Sequence, residues 1–136
     1  MMRWMLDTDT CIAIIKRKPE SALKKLRGKQ IGQVGISSIT LGELAYGASK
    51  STKPKESHDA LKEFLLALEV AEFNFDTALH YGDIRASLAK AGTPIGPLDT
   101  LIGSHAYSID AILVTHNTRE FSKIKGLRLE DWLGDE

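Results

Sequence analysis

Short apolar runs alternate with longer amphipathic stretches along the chain, a pattern typical of α/β proteins. The β-prone runs are "RWML" (3–6), "VGIS" (34–37), "EVAEF" (69–73), "AILVT" (111–115) and "LRLEDW" (127–132). Helical patterns fall at 9–16, 20–27, from Ser38 to about Ala48, at 58–68, 76–92 and 98–109. Continuously apolar strands separated by helices predict a mostly parallel central sheet of about five strands, flanked by helices. With no repeat or linker in 136 residues, we expect a single domain over 1–136.

Several residues mark the expected helix ends. Pro19 is placed to open the second helix and Ser38 to cap the third, while Gly92 suits a helix C-terminus. Pro97 suits the first position of the following helix, in which Leu98 would begin an apolar stripe.

Composition narrows the function classes without selecting one. The chain is 43% hydrophobic and 26% charged with a formal net charge of zero, which argues against disorder and against a strongly basic protein. Basic residues are nevertheless concentrated between Lys16 and Lys29, as a solvated helix face or a phosphate-binding rim, and the C-terminal end is acidic. The single Cys11 lies among apolar residues and is interpreted as part of the core. Without a signal peptide or an apolar segment of membrane-spanning length, the expected location is cytoplasmic, with no membrane association.

Polar residues follow two of the predicted strands directly. Asp7 comes after the first strand and Asn117 after "AILVT", at the carboxyl ends where sites of parallel sheets gather. Asp7 has three interpretations at this point: a helix cap, a metal ligand or a nucleophile. Asp9 is most simply an acid in the first helical turn, and His116 is the histidine best placed for a site.

Two further acids have placements that suggest chemistry. Glu43 projects from the third helix between apolar and small residues, so its carboxylate is expected to turn inward, and Asp99 opens the helix after Pro97. Carboxylates are hard oxygen ligands suited to Mg²⁺ or Mn²⁺, which hold phosphates and activate water. No zinc-type spacing, phosphate loop or nucleophile elbow is present in the sequence. Metal-assisted phosphoryl hydrolysis is the expected class.

The opening motif on its own resembles another class. "MLDTDT" is similar to the D-x-D-x-T motif of haloacid-dehalogenase-like phosphatases, which implies Asp7 as nucleophile and Asp9 as acid. This resemblance covers about ten residues, and no acidic pair follows at a later strand end. A non-catalytic α/β binding module is the third hypothesis.

A second resemblance covers nearly the whole chain. "MLDTDTCIAIIKRKP", "ISSITLGELAYGA" and the block from "GTPIGPLDTLIGSHAYSIDAILVTHNTREF" onward resemble the signature blocks of PIN-domain ribonucleases, most closely the VapC toxins of VapBC toxin–antitoxin pairs. The resemblance implies a PIN-like domain in which Asp7, Glu43 and Asp99 form an acidic catalytic core. Asp7 and Asp99 would bind Mg²⁺ or Mn²⁺ directly, with Glu43 either ligating as well or holding a water.

The resemblance also implies roles for other residues and for partners. Asn117 falls at the fourth acidic position, where it or Glu120 would position water, and Asp9 stands where relatives usually have Asn. The implied activity is that of an endoribonuclease toxin that cleaves RNA, often a tRNA. The implied assembly is a homodimer neutralised by a VapB-type antitoxin.

Overall fold

A computed structural model describes residues 1–134 and contains one parallel sheet. The strands are β1 (Trp4–Leu6), β2 (Val34–Ser37), β3 (Glu69–Ala71), β4 (Ile112–Val114) and β5 (Leu129–Glu130). They lie in the order β3-β2-β1-β4-β5, and every pair is parallel. The expected five-stranded α/β fold is confirmed, while Asp135 and Glu136 of the predicted acidic end lie outside the described residues.

Helices connect the strands and cover the sheet. They are α1 (Thr8–Lys16), α2 (Glu20–Arg27), α3 (Ser38–Ser49), α4 (Pro54–Leu65), α5 (Phe75–Lys90), α6 (Pro97–Ser108) and α7 (Thr118–Phe121). Among residues 1–134, no helix has the length and apolar character needed to cross a bilayer.

The core consists of two clusters that share the central strand β1. Leu6 packs with Cys11 of α1 in one cluster, and Met5 packs with Ile102 of α6 in the other. Because neighbouring strand residues point to opposite faces, Met5 and Leu6 are both fully buried, each on its own side of the sheet. Burial on both faces explains why the strands are continuously apolar, and the core placement of Cys11 is confirmed.

Close packing positions α6 against the segment that follows β4. A Cβ built on Gly103 would lie 2.6 Å from the Ile124 side chain and 3.2 Å from that of Phe121, so a larger residue would require these side chains to shift. The predicted ends of the neighbouring helices are confirmed, since Gly92 follows α5 with a positive φ of 73° and Pro97 occupies the first turn of α6.

The structure corrects two local predictions and adds one helix. Ser37 rather than Ser38 caps α3, because the Ser37 hydroxyl accepts the Ile39 N–H at 3.0 Å and Ser38 is already helical. Leu98 does not belong to the apolar stripe: it lies 45% exposed in the first turn of α6, which projects beyond the sheet. Helix α7 was not predicted, because four residues are too few to show a helical period.

Candidate active site

Asp7 leaves β1 at the carboxyl edge of the sheet and is nearly buried, with 6% exposure. Its carboxylate accepts the Thr10 backbone N–H at 2.8 Å, which confirms the helix-cap interpretation. Burial raises the pKa of Asp7; hydrogen bonds from Thr115 and Thr10 partly oppose this rise, and the charge of Asp9 adds to it. Asp7 is thus a carboxylate held in one orientation at a cost in desolvation.

The carboxylate of Asp99 experiences the charges of the other acids. It is the third residue of α6 and is half-buried. Burial is the largest cause that raises its pKa, and the negative charges of surrounding acids raise it further. Those acids are, from the largest effect to the smallest, Asp7, Glu120, Asp9 and Glu43. Acids from α1, α3, α6, α7 and the end of β1 therefore share one electrostatic site.

Glu43 reaches this site from α3 and is half-buried. The Thr8 hydroxyl donates a hydrogen bond to Glu43 Oε1 at 2.5 Å. The prediction that this carboxylate turns inward is confirmed, and the contact joins α3 to the residue next to Asp7.

The remaining predicted residues lie at the rim. Asp9 is exposed in the first turn of α1, as expected. Glu120 is half-buried in α7 and forms an ion pair with Lys123 at 3.4 Å. Asn117 is exposed at the start of α7, with its backbone N–H donating to Thr115 Oγ1 at 2.9 Å. The negative charge of Glu120 raises the pKa of Asp99, whereas the Asn117 amide is neutral.

Two other predicted features have different surroundings. His116 is exposed, and its Nδ1 lies 3.0 Å from Asp131 Oδ2, so its contact is with the segment after β5.

Both ends of the basic 16–29 segment lie toward the amino-terminal edge of the sheet. Lys16 ends α1, about 13 Å along the axis from the Asp7 end, and Lys29 lies 4.2 Å from the ring centroid of Trp4, which begins β1. These two lysines do not form a phosphate-binding rim beside the acids.

Sequence reasoning missed two threonines of the site, Thr8 and Thr115. Thr115 is fully buried, and its side chain opposes the rise in the pKa of Asp7. Leu6 pairs with Val114 in the sheet, so Asp7 and Thr115 each follow their strand at the same level. A signal was present in the sequence, because "LD" and "VT" both end apolar runs, but reading it requires knowing that β1 and β4 are neighbours.

The donor set fits a divalent cation in chemistry and in charge. It consists of hard carboxylate oxygens, and the mutual repulsion seen at Asp99 is the kind that a bound cation relieves. Within residues 1–134, no three His, Cys, Asp or Glu side chains already converge closely enough to hold an ion. The fit to a cation is therefore one of ligand chemistry and charge.

This combination of fold and site is that of a PIN domain. The PIN-domain family profile matches residues 4–127 of the chain. The chain is 46% identical to the tRNA(fMet)-specific endonuclease VapC of Salmonella typhimurium, over 97% of this chain and 99% of that protein. It is 40% identical to ribonuclease VapC2 of Haemophilus influenzae, over 98% of this chain and 100% of that protein.

Solved structures agree with these relatives. The DNA-bound VapBC structure from Salmonella typhimurium superimposes with a TM-score of 0.92 at 46% identity, covering 97% of this chain and 99% of that one. VapBC2 from Rickettsia felis, bound to a promoter DNA fragment, gives a TM-score of 0.90 at 40% identity, covering 96% and 99%. The chain belongs to the PIN-domain family and, within it, to the VapC ribonucleases.

This membership decides between the two resemblances of the opening motif. The match to the PIN-domain family and to the VapC relatives includes the ends of β1 and β4 and all three sequence blocks. The interpretation of "MLDTDT" as a phosphatase motif is therefore wrong. The geometry agrees, because Asp9 is exposed at the rim while Asp7 is buried beside Thr115.

Proposed function

We propose that this ribonuclease is a Mg²⁺- or Mn²⁺-dependent endoribonuclease toxin whose catalytic residues are Asp7, Glu43 and Asp99. The single observation that carries the proposal is the electrostatic environment of Asp99, whose pKa is raised by acids from four other places in the chain. Like charges gathered at one half-buried point destabilise one another, and a site that retains them is suited to a cation.

Each carboxylate has its own task in this proposal. Asp7 and Asp99 would hold the cation, because Asp7 is fixed by the Thr10 N–H and Asp99, in the first turn of α6, experiences the charge of Asp7. Glu43 would either ligate the cation as well or hold the attacking water. When bound, the cation neutralises the carboxylates and polarises the scissile phosphate.

Asn117, Glu120 and Asp9 have supporting roles. The two candidates for the fourth site residue are Asn117, the cap of α7, and Glu120 within α7. Glu120 is the better candidate, because its negative charge already raises the pKa of Asp99. Asn117 offers an amide at the rim that can hold a water, and Asp9 adds negative charge beside Asp7.

We further propose that the substrate is a tRNA, cleaved in the cytoplasm, and that a VapB-type antitoxin neutralises a homodimeric toxin. Relatives at 46% identity are named tRNA(fMet)-specific endonucleases, which makes initiator tRNA the first substrate to test. Solved structures with TM-scores of 0.92, 0.90 and 0.88 are VapBC complexes, which supports an antitoxin partner.

The test is cleavage of total RNA and of initiator tRNA by the purified chain with Mg²⁺, Mn²⁺ or chelator. Cleavage should require the metal, and Asp7→Asn and Asp99→Asn should each reduce the rate at least a hundredfold, about 3 kcal/mol, while the circular dichroism spectrum stays that of the folded protein. Exposed Asp83→Asn on α5 is the matched control and should cleave normally.

Full metal-dependent cleavage by either site variant would remove these residues from the mechanism. Absence of cleavage with every metal, by a protein that is folded and free of antitoxin, would favour the non-catalytic binding module. Cleavage of bulk RNA but not of tRNA would retain the nuclease and reject the proposed substrate.

A further inference from the structure

The Glu43 carboxylate is held by one neighbour, the hydroxyl of Thr8. Thr8 Oγ1 donates to Glu43 Oε1 at 2.5 Å, a short charge-assisted hydrogen bond. Among the described residues, no other hydrogen bond or ion pair is recorded for this carboxylate. A glutamate side chain has several rotatable bonds, so this contact decides where its charge lies.

A second threonine supports the contact from below. Thr8 Oγ1 lies 3.3 Å from Thr40 Oγ1, and Thr40 is fully buried. Thr40 and Glu43 are three residues apart in α3 and therefore share a face of the helix. The single hydroxyl proton of Thr8 has two acceptors within reach, Glu43 Oε1 at 2.5 Å and Thr40 Oγ1 at 3.3 Å, and the closer, charged acceptor is favoured. The Thr8 hydroxyl thus lies against two residues of α3.

The position of Thr8 in the chain links this contact to Asp7. Thr8 is the first residue of α1, and its neighbour Asp7 is fixed by the Thr10 N–H at 2.8 Å. Thr8 and Thr10, both in the first turn of α1, therefore orient two proposed catalytic carboxylates, Glu43 on α3 and Asp7 at the end of β1.

We propose that Thr8 is a positioning residue, which holds Glu43 in its working orientation before cation and RNA bind. This inference rests on the proposed function for its catalytic part. Losing a hydrogen bond to a charged group typically changes an equilibrium by about tenfold or more. Removing the hydroxyl should therefore change the ratio between the held Glu43 rotamer and the other rotamers by that factor in the metal-free protein.

The experiment compares Thr8→Val, which keeps the side-chain shape, with Thr8→Ser, which keeps the hydroxyl. The first readout is NMR of the metal-free protein with labelled glutamate, with the Glu43 signals assigned by Glu43→Gln. Wild type and Thr8→Ser should show one fixed Glu43 conformer, and Thr8→Val an average over rotamers. Thr77→Val is the matched control, because it removes a buried hydroxyl bonded to Ser108 at 2.9 Å and should leave Glu43 fixed.

The second readout is steady-state cleavage of initiator tRNA at saturating Mn²⁺. Thr8→Val should lower kcat about tenfold with little change in KM or in the melting temperature, and Thr8→Ser should retain kcat within about twofold. Equal kcat in wild type and Thr8→Val, or a Glu43 side chain that stays fixed without the hydroxyl, would overturn the inference. If wild type cleaves no RNA, the proposed function fails, and the NMR comparison still decides by itself whether Thr8 orients Glu43.

Discussion

His105 should make the folded protein sensitive to mild acid. Its ring is fully buried in α6, where Nδ1 lies 2.7 Å from Ser37 Oγ and the Phe73 ring packs edge-on with centroids 5.4 Å apart. Nε2 is buried without a partner among the described residues. Burial lowers the pKa of His105 from 6.5 to about 4, because a charged imidazolium cannot be solvated there.

The sign of the effect follows from proton binding. Below pH 6.5 the unfolded chain protonates His105, whereas the folded protein does so only near pH 4. The unfolded state therefore binds more protons in this window, and stability is lost as the pH falls through it. The loss relative to pH 7.5 should be about 2 kcal/mol at pH 5 and about 3 kcal/mol at pH 4.

The assay is urea unfolding of wild type and His105→Asn between pH 4 and pH 7.5, followed by circular dichroism. Asparagine retains a polar atom near the position of Nδ1 but does not titrate. The raised pKa values of Asp7 and Asp99 act in the opposite direction, since their folded forms take up protons first, but they are common to both proteins and cancel in the difference. Wild type should lose about 3 kcal/mol more than the variant over this range. Parallel stability curves would refute the reasoning, whatever the absolute cost of the substitution.

Two further predictions concern packing and capping. Ser37→Ala should lower the free energy of unfolding by about 1 to 3 kcal/mol, because it removes both the α3 cap and the hydrogen-bond partner of the buried His105 ring. The control Ser122→Ala, at an exposed position, should have a small effect. Equal unfolding midpoints of the two variants would contradict this prediction. Gly103→Ala should cost about 1 to 3 kcal/mol, because its Cβ would lie 2.6 Å from the Ile124 side chain. The control Gly82→Ala, with open space at an exposed helical position, should stabilise the folded protein by up to about 1 kcal/mol. A higher melting temperature for Gly103→Ala than for Gly82→Ala would show the packing argument to be wrong.

The candidate site shows where reasoning from sequence stops. Each acid could be selected individually, Asp7 because it ends an apolar run and Asp99 because it follows Pro97. Grouping them depended on a resemblance across the whole chain, since Asp7 and Asp99 are separated by most of its length. Thr8 and Thr115 were missed because threonine is common in strands and helix starts, and only a neighbour makes its hydroxyl specific.

The sequence by itself determined the alternation of strands and helices, the parallel sheet and the helix ends at Gly92 and Pro97. These depend on local rules: an apolar period, a positive φ that favours glycine, and a proline ring that suits a first helical turn. Membership of the VapC ribonucleases could also be inferred from the order of the sequence blocks.

Only the tertiary structure decided which groups meet at the carboxyl edge of the sheet. The pairing of β1 with β4 brings Thr115 to Asp7, and the packing of α3 and α6 brings Glu43 and Asp99 into the same electrostatic field. The same packing exposes Leu98, buries His105 and directs the Thr8 hydroxyl to Glu43. The physical reason is that charge repulsion, desolvation and hydrogen bonding depend on distances through space, which local sequence patterns do not encode.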